Sequence, residues 1–447
     1  MSNDFIKEDI KKKPINKSKI VKKMLTTVAL AVIFGVVASL IILVLEPFLQ
    51  KITTRNEDPV PSTITLPEEE MSPEEMLSEY MMQESALAEL TAAEDEVDEA
   101  ADPVDLPLSD DQISAILGRF KVDATKYRQM MISMSNYARE IGNYVVTITA
   151  VKSSVDWLNS VNDSSNVTSG IVIAENNVEL LILADSTPLQ NSDSLTMATR
   201  NGFSAPAYIK EVDDITGLAI IGVALTDVPE ETDIESLIAP LGSSSGIYVG
   251  VSVVAVGSPK GVSGSIGYGI VDAPRTMVTN ADTFMYCYQT DIPSSKNSSG
   301  VLFNMQGQVV GIITNKETGT TGSNVVMVYG ITELKGLIEK MSNGQEISYL
   351  GISGTNVTSQ ANSELGVPMG AFITATDMDS PAMLAGVQVG DVIVAMNDQK
   401  ISTFIEYVNV LQNTKPGDTV TLTVQRKSQE EYVPIDLEMT VESRSHE

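Results

Sequence analysis

Apolar residues change their spacing several times along the chain, and each change predicts a different kind of element. Met24–Leu45 is an unbroken 22-residue run without a charge. At 1.5 Å per residue it crosses about 30 Å of hydrocarbon, so it predicts a transmembrane helix. From Pro73 to about Ala93 apolar residues recur at helical spacing (Met76, Leu77, Tyr80, Met81, Leu87, Leu90) inside an acidic stretch. Between 123 and 141 the three-to-four spacing returns in Tyr127, Met130, Met131, Met134, Tyr137, Ala138 and Ile141. This predicts one amphipathic helix, with its methionines packed into a core. The texture then turns to short apolar runs broken by Gly, Ser, Asn and Asp: 144–151, 170–174, 179–183, 218–223, 249–256, 266–271 and 309–313. Such runs predict strands of a barrel or sandwich. The last stretch, 348–441, mixes strands with two helices near 381–385 and 403–412.

Charge sharpens the boundaries. Residues 1–23 carry eight Lys against three acids, and the charge-free run follows directly. The positive-inside rule then puts 1–23 in the cytoplasm and everything after Leu45 outside, on a single-pass cell-membrane protein. A cleaved signal peptide is the rival reading, but the apolar run is long for one and no A-x-A site follows. Residues 46–111 hold twenty Asp and Glu against Lys51 and Arg55, with seven prolines. They read as a self-repelling, disordered stalk. The domain plan is thus a basic tail at 1–23, an anchor at 24–45, an acidic stalk at 46–122, a β-rich domain at 123–343 and a smaller α+β domain at 344–443.

Composition narrows the chemistry. The 447 residues carry a net charge of −30, which disfavours nucleic acid as a partner. The single Cys, Cys287, forbids an intrachain disulfide; it alternates within a strand and reads as a small buried hydrophobe. The single His is His446, at the very end. A Cys/His metal cluster is therefore excluded, and no motif requires a cofactor. Gly264-x-x-Gly267-x-Gly269 lacks a strand–loop–helix setting and reads as a β-turn rather than a phosphate loop.

Five short pieces in order carry a family likeness. They are Ser169-Gly170-Ile171-Val172-Ile173, Leu218-Ala219-Ile220-Ile221, Val253-Val254-Ala255-Val256-Gly257-Ser258-Pro259, Gln289-Thr290-Asp291 followed by Asn297-Ser298-x-Gly300, and Gly307-Gln308-Val309-Val310-Gly311-Ile312. Together they resemble the HtrA-like (DegP/DegS-type) serine proteases, a chymotrypsin-like double β-barrel with a C-terminal PDZ domain. The resemblance covers about two thirds of the chain, and it implies a homotrimer. It puts Ser298 in the nucleophile slot. The His slot falls on Ala184 or Thr187, depending on the gap, and the Asp slot on Gly217. Lys296 stands where the family has the Gly of the oxyanion hole, and Ser299 replaces the Gly after the nucleophile. Asp213 and Asp214 precede the Asp slot in the wrong phase.

These departures remove physical requirements. A Ser hydroxyl is a poor nucleophile until a base takes its proton, and loss of the His or Asp costs about 10⁴-fold in rate. Lys296, two residues from Ser298 on a tight turn, reads as a solvated loop lysine rather than a base. Ser298 itself reads as an exposed turn hydroxyl bonded to nearby backbone.

Residues 348–441 resemble a PDZ domain of the bacterial protease type. Tyr349-Leu350-Gly351-Ile352 matches the carboxylate-binding loop, and Ser380-Pro381-Ala382-x-x-Ala385-Gly386-Val387-x-x-Gly390-Asp391-Val392-Ile393 matches the segment after it. The resemblance implies that Tyr349, Leu350, Gly351 and Ile352, with Val408 and Leu411, hold the apolar C-terminus of a peptide or protein. The alternative is a groove filled by the chain itself, or one that docks only on the neighbouring barrel. The expectation is a membrane-anchored bacterial pseudoprotease that senses extracytoplasmic C-termini in protein quality control. The alternatives are an active serine endopeptidase with an unconventional base at Ser298, and an oligomeric scaffold.

Overall fold

A computed structural model describes residues 60–66, 124–155, 161–313, 324–429 and 431–444. The basic tail, the apolar run 24–45, most of the stalk, the helical spacing at 73–93 and His446 lie outside the described residues. No helix among the described residues is long and apolar enough to cross a membrane. The chain divides into two units, 1–60 and 61–447, and the helices and strands below belong to the second.

Helix α1 (Ala124–Ile141) leads into β1 (Val145–Val155), β2 (Val161–Glu175), β3 (Glu179–Asp185), β4 (Ser194–Ala198), β5 (Ser204–Asp213) and β6 (Leu218–Ala224). These six strands close an antiparallel barrel in the order β1-β2-β3-β6-β5-β4. Strands β3 and β6 are buried on both faces, which is why they read as unbroken apolar runs. In β3 the alternation assigns Leu180, Ile182 and Ala184 to the barrel interior. Leu181 and Leu183 join a second cluster, shared with Val254, Val256, Val301 and Phe303 of the next sheet.

That sheet contains β7 (Ser252–Ser258), β8 (Ser265–Ile270), β9 (Thr276–Asn280), β10 (Thr283–Pro293), β11 (Ser299–Phe303), β12 (Val309–Ile313) and β13 (Val325–Gly330). Its order is β8-β7-β11-β12-β13-β10-β9. The expected second closed barrel is thus a curled seven-stranded sheet. Strand β10 pairs with both β13 and β9 and is bulged between Gln289 and Pro293, and beyond β8 only a single bridge, Val271 to Thr290, joins it. The glycines expected in a turn correct in the same way: Gly267 and Gly269 lie inside β8. A Cβ at either would run into Ile292 or Asp291. Cys287 is buried in β10, as expected.

Helix α2 (Ile331–Ser342) leads to the last domain. This comprises β14 (Ser348–Tyr349), β15 (Ile352–Asn356), α3 (Ser359–Leu365), β16 (Ala371–Thr376), α4 (Pro381–Leu384), β17 (Val392–Met396), β18 (Gln399–Lys400), α5 (Phe404–Gln412), β19 (Thr419–Ser428), β20 (Glu431–Thr440) and β21 (Glu442–Ser443). Its main sheet runs β15-β16-β17-β19-β20, and β14 pairs with β21. Local chemistry sets the helix starts. The Ser380 hydroxyl caps α4 ahead of Pro381. Thr403 caps α5, while the Glu406 carboxylate accepts from Ser402 N–H at 2.6 Å.

Two expectations are corrected by packing. Residues 60–66 belong to the stretch expected as a solvated stalk, yet Ile64 and Leu66 are buried in the cluster between the sheets. Asn343 holds Ile64 from both sides: its Oδ1 accepts the Ile64 N–H and its Nδ2 donates to the Ile64 carbonyl, both at 2.8 Å. Glu339 accepts from Leu66 N–H at 3.0 Å. The segment is apolar (Ile64, Leu66) and precedes the dense acidic run, so burial can offset its ordering entropy. In α1, by contrast, Tyr127, Met130 and Met131 are exposed, and only Ala138 and Ile141 are buried. Only the last turns of the helix reach the sheets. There Tyr137 donates to the Asn304 carbonyl and accepts from Gly307 N–H.

Candidate functional site

The nucleophile slot lies in the turn that links β10 to β11. Ser298 is fully buried rather than exposed, because the turn folds back under Pro259, beyond the end of β7. Its Oγ donates to the Pro259 carbonyl at 2.7 Å, accepts from Ser295 N–H at 2.8 Å and lies 2.9 Å from Ser294 Oγ. A carbonyl that receives the hydroxyl proton is not a base. The Ser298 N–H, one of the groups from which an oxyanion hole is built, donates to the Ser295 carbonyl at 3.1 Å. Lys296 is exposed. Ser299 has a structural use: its Oγ accepts from Ser169 N–H at 3.0 Å, stitching β11 to β2. Gly300 sits at φ +122°, where a Cβ would collide with the Val256 carbonyl.

The other slots are occupied by core and turn residues. Ala184 faces the interior of the first barrel. Thr187 is exposed at the start of a short 3₁₀ turn, Thr187–Leu189, and its N–H donates to Asp185 Oδ1 at 2.8 Å. Gly217 adopts φ +74° in the tight turn before β6. Asp213 is fully buried and committed elsewhere: it accepts from Thr216 N–H and Oγ1 and pairs with Arg444 Nη1 at 2.9 Å.

The second location is the loop between β14 and β15. The three successive N–H groups of Leu350, Gly351 and Ile352 converge on one carboxylate, that of Asp282, at 2.6, 2.5 and 3.1 Å. A fourth donor, the Tyr407 hydroxyl of α5, reaches the same carboxylate at 2.6 Å. Three consecutive donors on one anion make a backbone nest. Gly351 permits it at φ +79°, and a Cβ there would collide with Ser380 Cβ. Asp282 is fully buried, and burial pushes its carboxyl up while the four donors pull it down; the balance is upward. Burial beside Asp282 likewise holds the Tyr407 phenol well above its ordinary value.

Leu350, Ile352, Val408 and Leu411 come together in the core of this domain. The Tyr349 hydroxyl lies beside Gly351, where a Cβ would come within 2.9 Å of it, and donates to Asp377 at 2.7 Å. Sequence reasoning missed Asp282, Tyr407 and Arg444. Asp282 looks like any hairpin Asp, and Tyr407 like one more apolar position of a helix. No linear signal joins an Asp between two strands to a loop 68 residues later.

Two packed β-sheets of trypsin topology followed by a PDZ domain define a class, the PDZ-bearing trypsin-like proteases. Residues 168–312 match the Trypsin-like peptidase domain family and residues 348–437 the PDZ domain family. The chain is 29% identical over 290 residues to the Serine endoprotease DegS of Haemophilus influenzae, covering 62% of this chain and 80% of that one. It is 27% identical over 287 residues to the Serine protease Do-like HtrA of Lactobacillus helveticus, covering 60% and 68%. A Probable periplasmic serine endoprotease DegP-like of Pseudomonas savastanoi is 28% identical over 279 residues, and the match spans 56% of its length. The solved HtrA-type protease AlgW with decapeptide superposes with a TM-score of 0.51 at 21% identity, covering 70% of this chain and 99% of that one. The chain thus carries a trypsin-like peptidase domain followed by a PDZ domain, the arrangement of the HtrA-type proteases to which it is similar.

Proposed function

We propose that this HtrA-like chain is a pseudoprotease that reads peptide C-termini with its PDZ groove, outside a membrane to which residues 24–45 anchor it. The observation that carries the reading is the convergence of the Leu350, Gly351 and Ile352 N–H groups on one carboxylate. That arrangement suits a terminal carboxylate, and an extended peptide entering there would add a strand beside β15 with its last side chain against apolar neighbours. The structural neighbour AlgW was solved with a decapeptide, which is consistent with peptide recognition in this fold.

Three features support loss of proteolysis. The hydroxyl of Ser298 is directed at a carbonyl, its N–H is committed to Ser295, the His slot holds Ala184 or Thr187, and the Asp slot holds Gly217. The relatives are named as proteases, so an endopeptidase at Ser298 is the second reading. It requires both a base and a rebuilt turn.

The binding half is tested by titrating the full-length protein with fluorescent heptapeptides ending in Val, Leu, Ile or Phe, each as free acid and as C-terminal amide. Binding of acids alone, lost in Gly351→Val, is expected. Equal binding of acids and amides would place recognition somewhere other than the nest.

A further inference from the structure

The nest is already holding a carboxylate, and the way it does so has a consequence for any incoming peptide. Resting on the reading of the groove given above, we propose that Asp282 is the groove's resident ligand, an internal surrogate for a peptide C-terminus, and that a terminal carboxylate enters by exchanging with it.

The match extends beyond the side chain. The Asp282 N–H donates to the Ile352 carbonyl at 2.8 Å, so its main chain also meets the first residue of β15, the strand whose edge a peptide would join. Asp282 and Ala281 form the turn between β9 and β10, where Asn280 pairs with Thr283. Asp282 holds φ +54° there, a conformation that Asp tolerates better than most residues. The turn is clamped from behind. Arg444, at the end of the PDZ domain, donates to the Ala281 carbonyl at 3.2 Å with Nη2, while Nη1 pairs with buried Asp213 of the first barrel. Phe284, two residues on, packs against both the PDZ core and the interior of the second sheet.

Occupancy by Asp282 and by a peptide is mutually exclusive. The nest has three N–H groups and one hydroxyl, and all four are used. A second carboxylate would find no donor and would meet a like charge in a buried site. The apparent affinity for a peptide is therefore its intrinsic affinity scaled by the fraction of molecules in which Asp282 has left. Departure also removes the hydrogen bond of Asp282 N–H to β15, so binding of a peptide loosens the second sheet from the PDZ domain at this point.

The test compares full-length native protein with Asp282→Gly, which suits the positive φ, and with Asp282→Asn, which keeps the size of the side chain but replaces one acceptor oxygen by a donor. The free-acid heptapeptides are the probe, and amide hydrogen exchange at Leu350, Gly351 and Ile352 is read without peptide. The proposal expects slow exchange at these three amides in the native protein and fast exchange in Asp282→Gly. It also expects peptide affinity to rise by about tenfold or more in Asp282→Gly, and by less in Asp282→Asn. Equal affinity and equal exchange in native and variant proteins would overturn it while leaving the peptide groove intact. Fast exchange in Asp282→Gly with no peptide bound by any of the three proteins would defeat the groove reading itself, and the exchange step with it.

Discussion

At the nucleophile slot the side chain keeps its hydroxyl and, on the proposed reading, lacks the surroundings that would make it react. Ser298 bridges a carbonyl, an amide and another serine inside a buried turn. Its replacement by Ala strands the Ser295 N–H and the Pro259 carbonyl. We expect Ser298→Ala to cost about 1–3 kcal/mol in denaturant unfolding. A change under about 0.5 kcal/mol, as at an ordinary surface site, would mean the hydroxyl is solvated. The residue type and its slot are legible in the sequence, as is its bond to nearby backbone. Its burial is not, because the carbonyl that covers it comes from a position 39 residues away. The same limit hides Asp282: an Asp in a hairpin turn is ordinary, and only the fold brings it to Leu350.

At the level of elements, spacing carries most of the information. The helices at 124–141 and 404–412 and the strands at 179–185, 218–224 and 309–313 fall where apolar periodicity places them. Periodicity says less about what covers each face. Met130 and Met131 of α1 keep helical spacing and stand in solvent, with Met134 partly buried against the core, while Ile64 and Leu66 lie in a stretch whose composition reads as stalk and are buried. Each is only 8% exposed. We expect Ile64→Ala and Leu66→Ala each to destabilise the protein by about 2–3 kcal/mol, the lower part of the range for core truncations. Melts indistinguishable from the native protein would show that the segment adds nothing to the core.

For the whole molecule, the order of domains follows from the motifs, but their docking does not. The PDZ domain is held against the rest of the fold by buried and part-buried polar contacts that no local pattern announces. Arg444 pairs with Asp213, Lys340 donates to Gln412 at 2.7 Å, and Asp282 fills the nest. Asp213 is bound into this junction rather than into a catalytic relay. On the proposed reading, the protease fold is the frame that presents and occupies a peptide groove. The most direct measurement is covalent: full-length protein treated with a fluorophosphonate, with trypsin beside it, and the adduct mapped by mass spectrometry. The expected result is complete labelling of trypsin and no adduct at Ser298. Stoichiometric modification of Ser298 would contradict a pseudoprotease, because it would require an accessible, base-activated hydroxyl where a buried structural one is described.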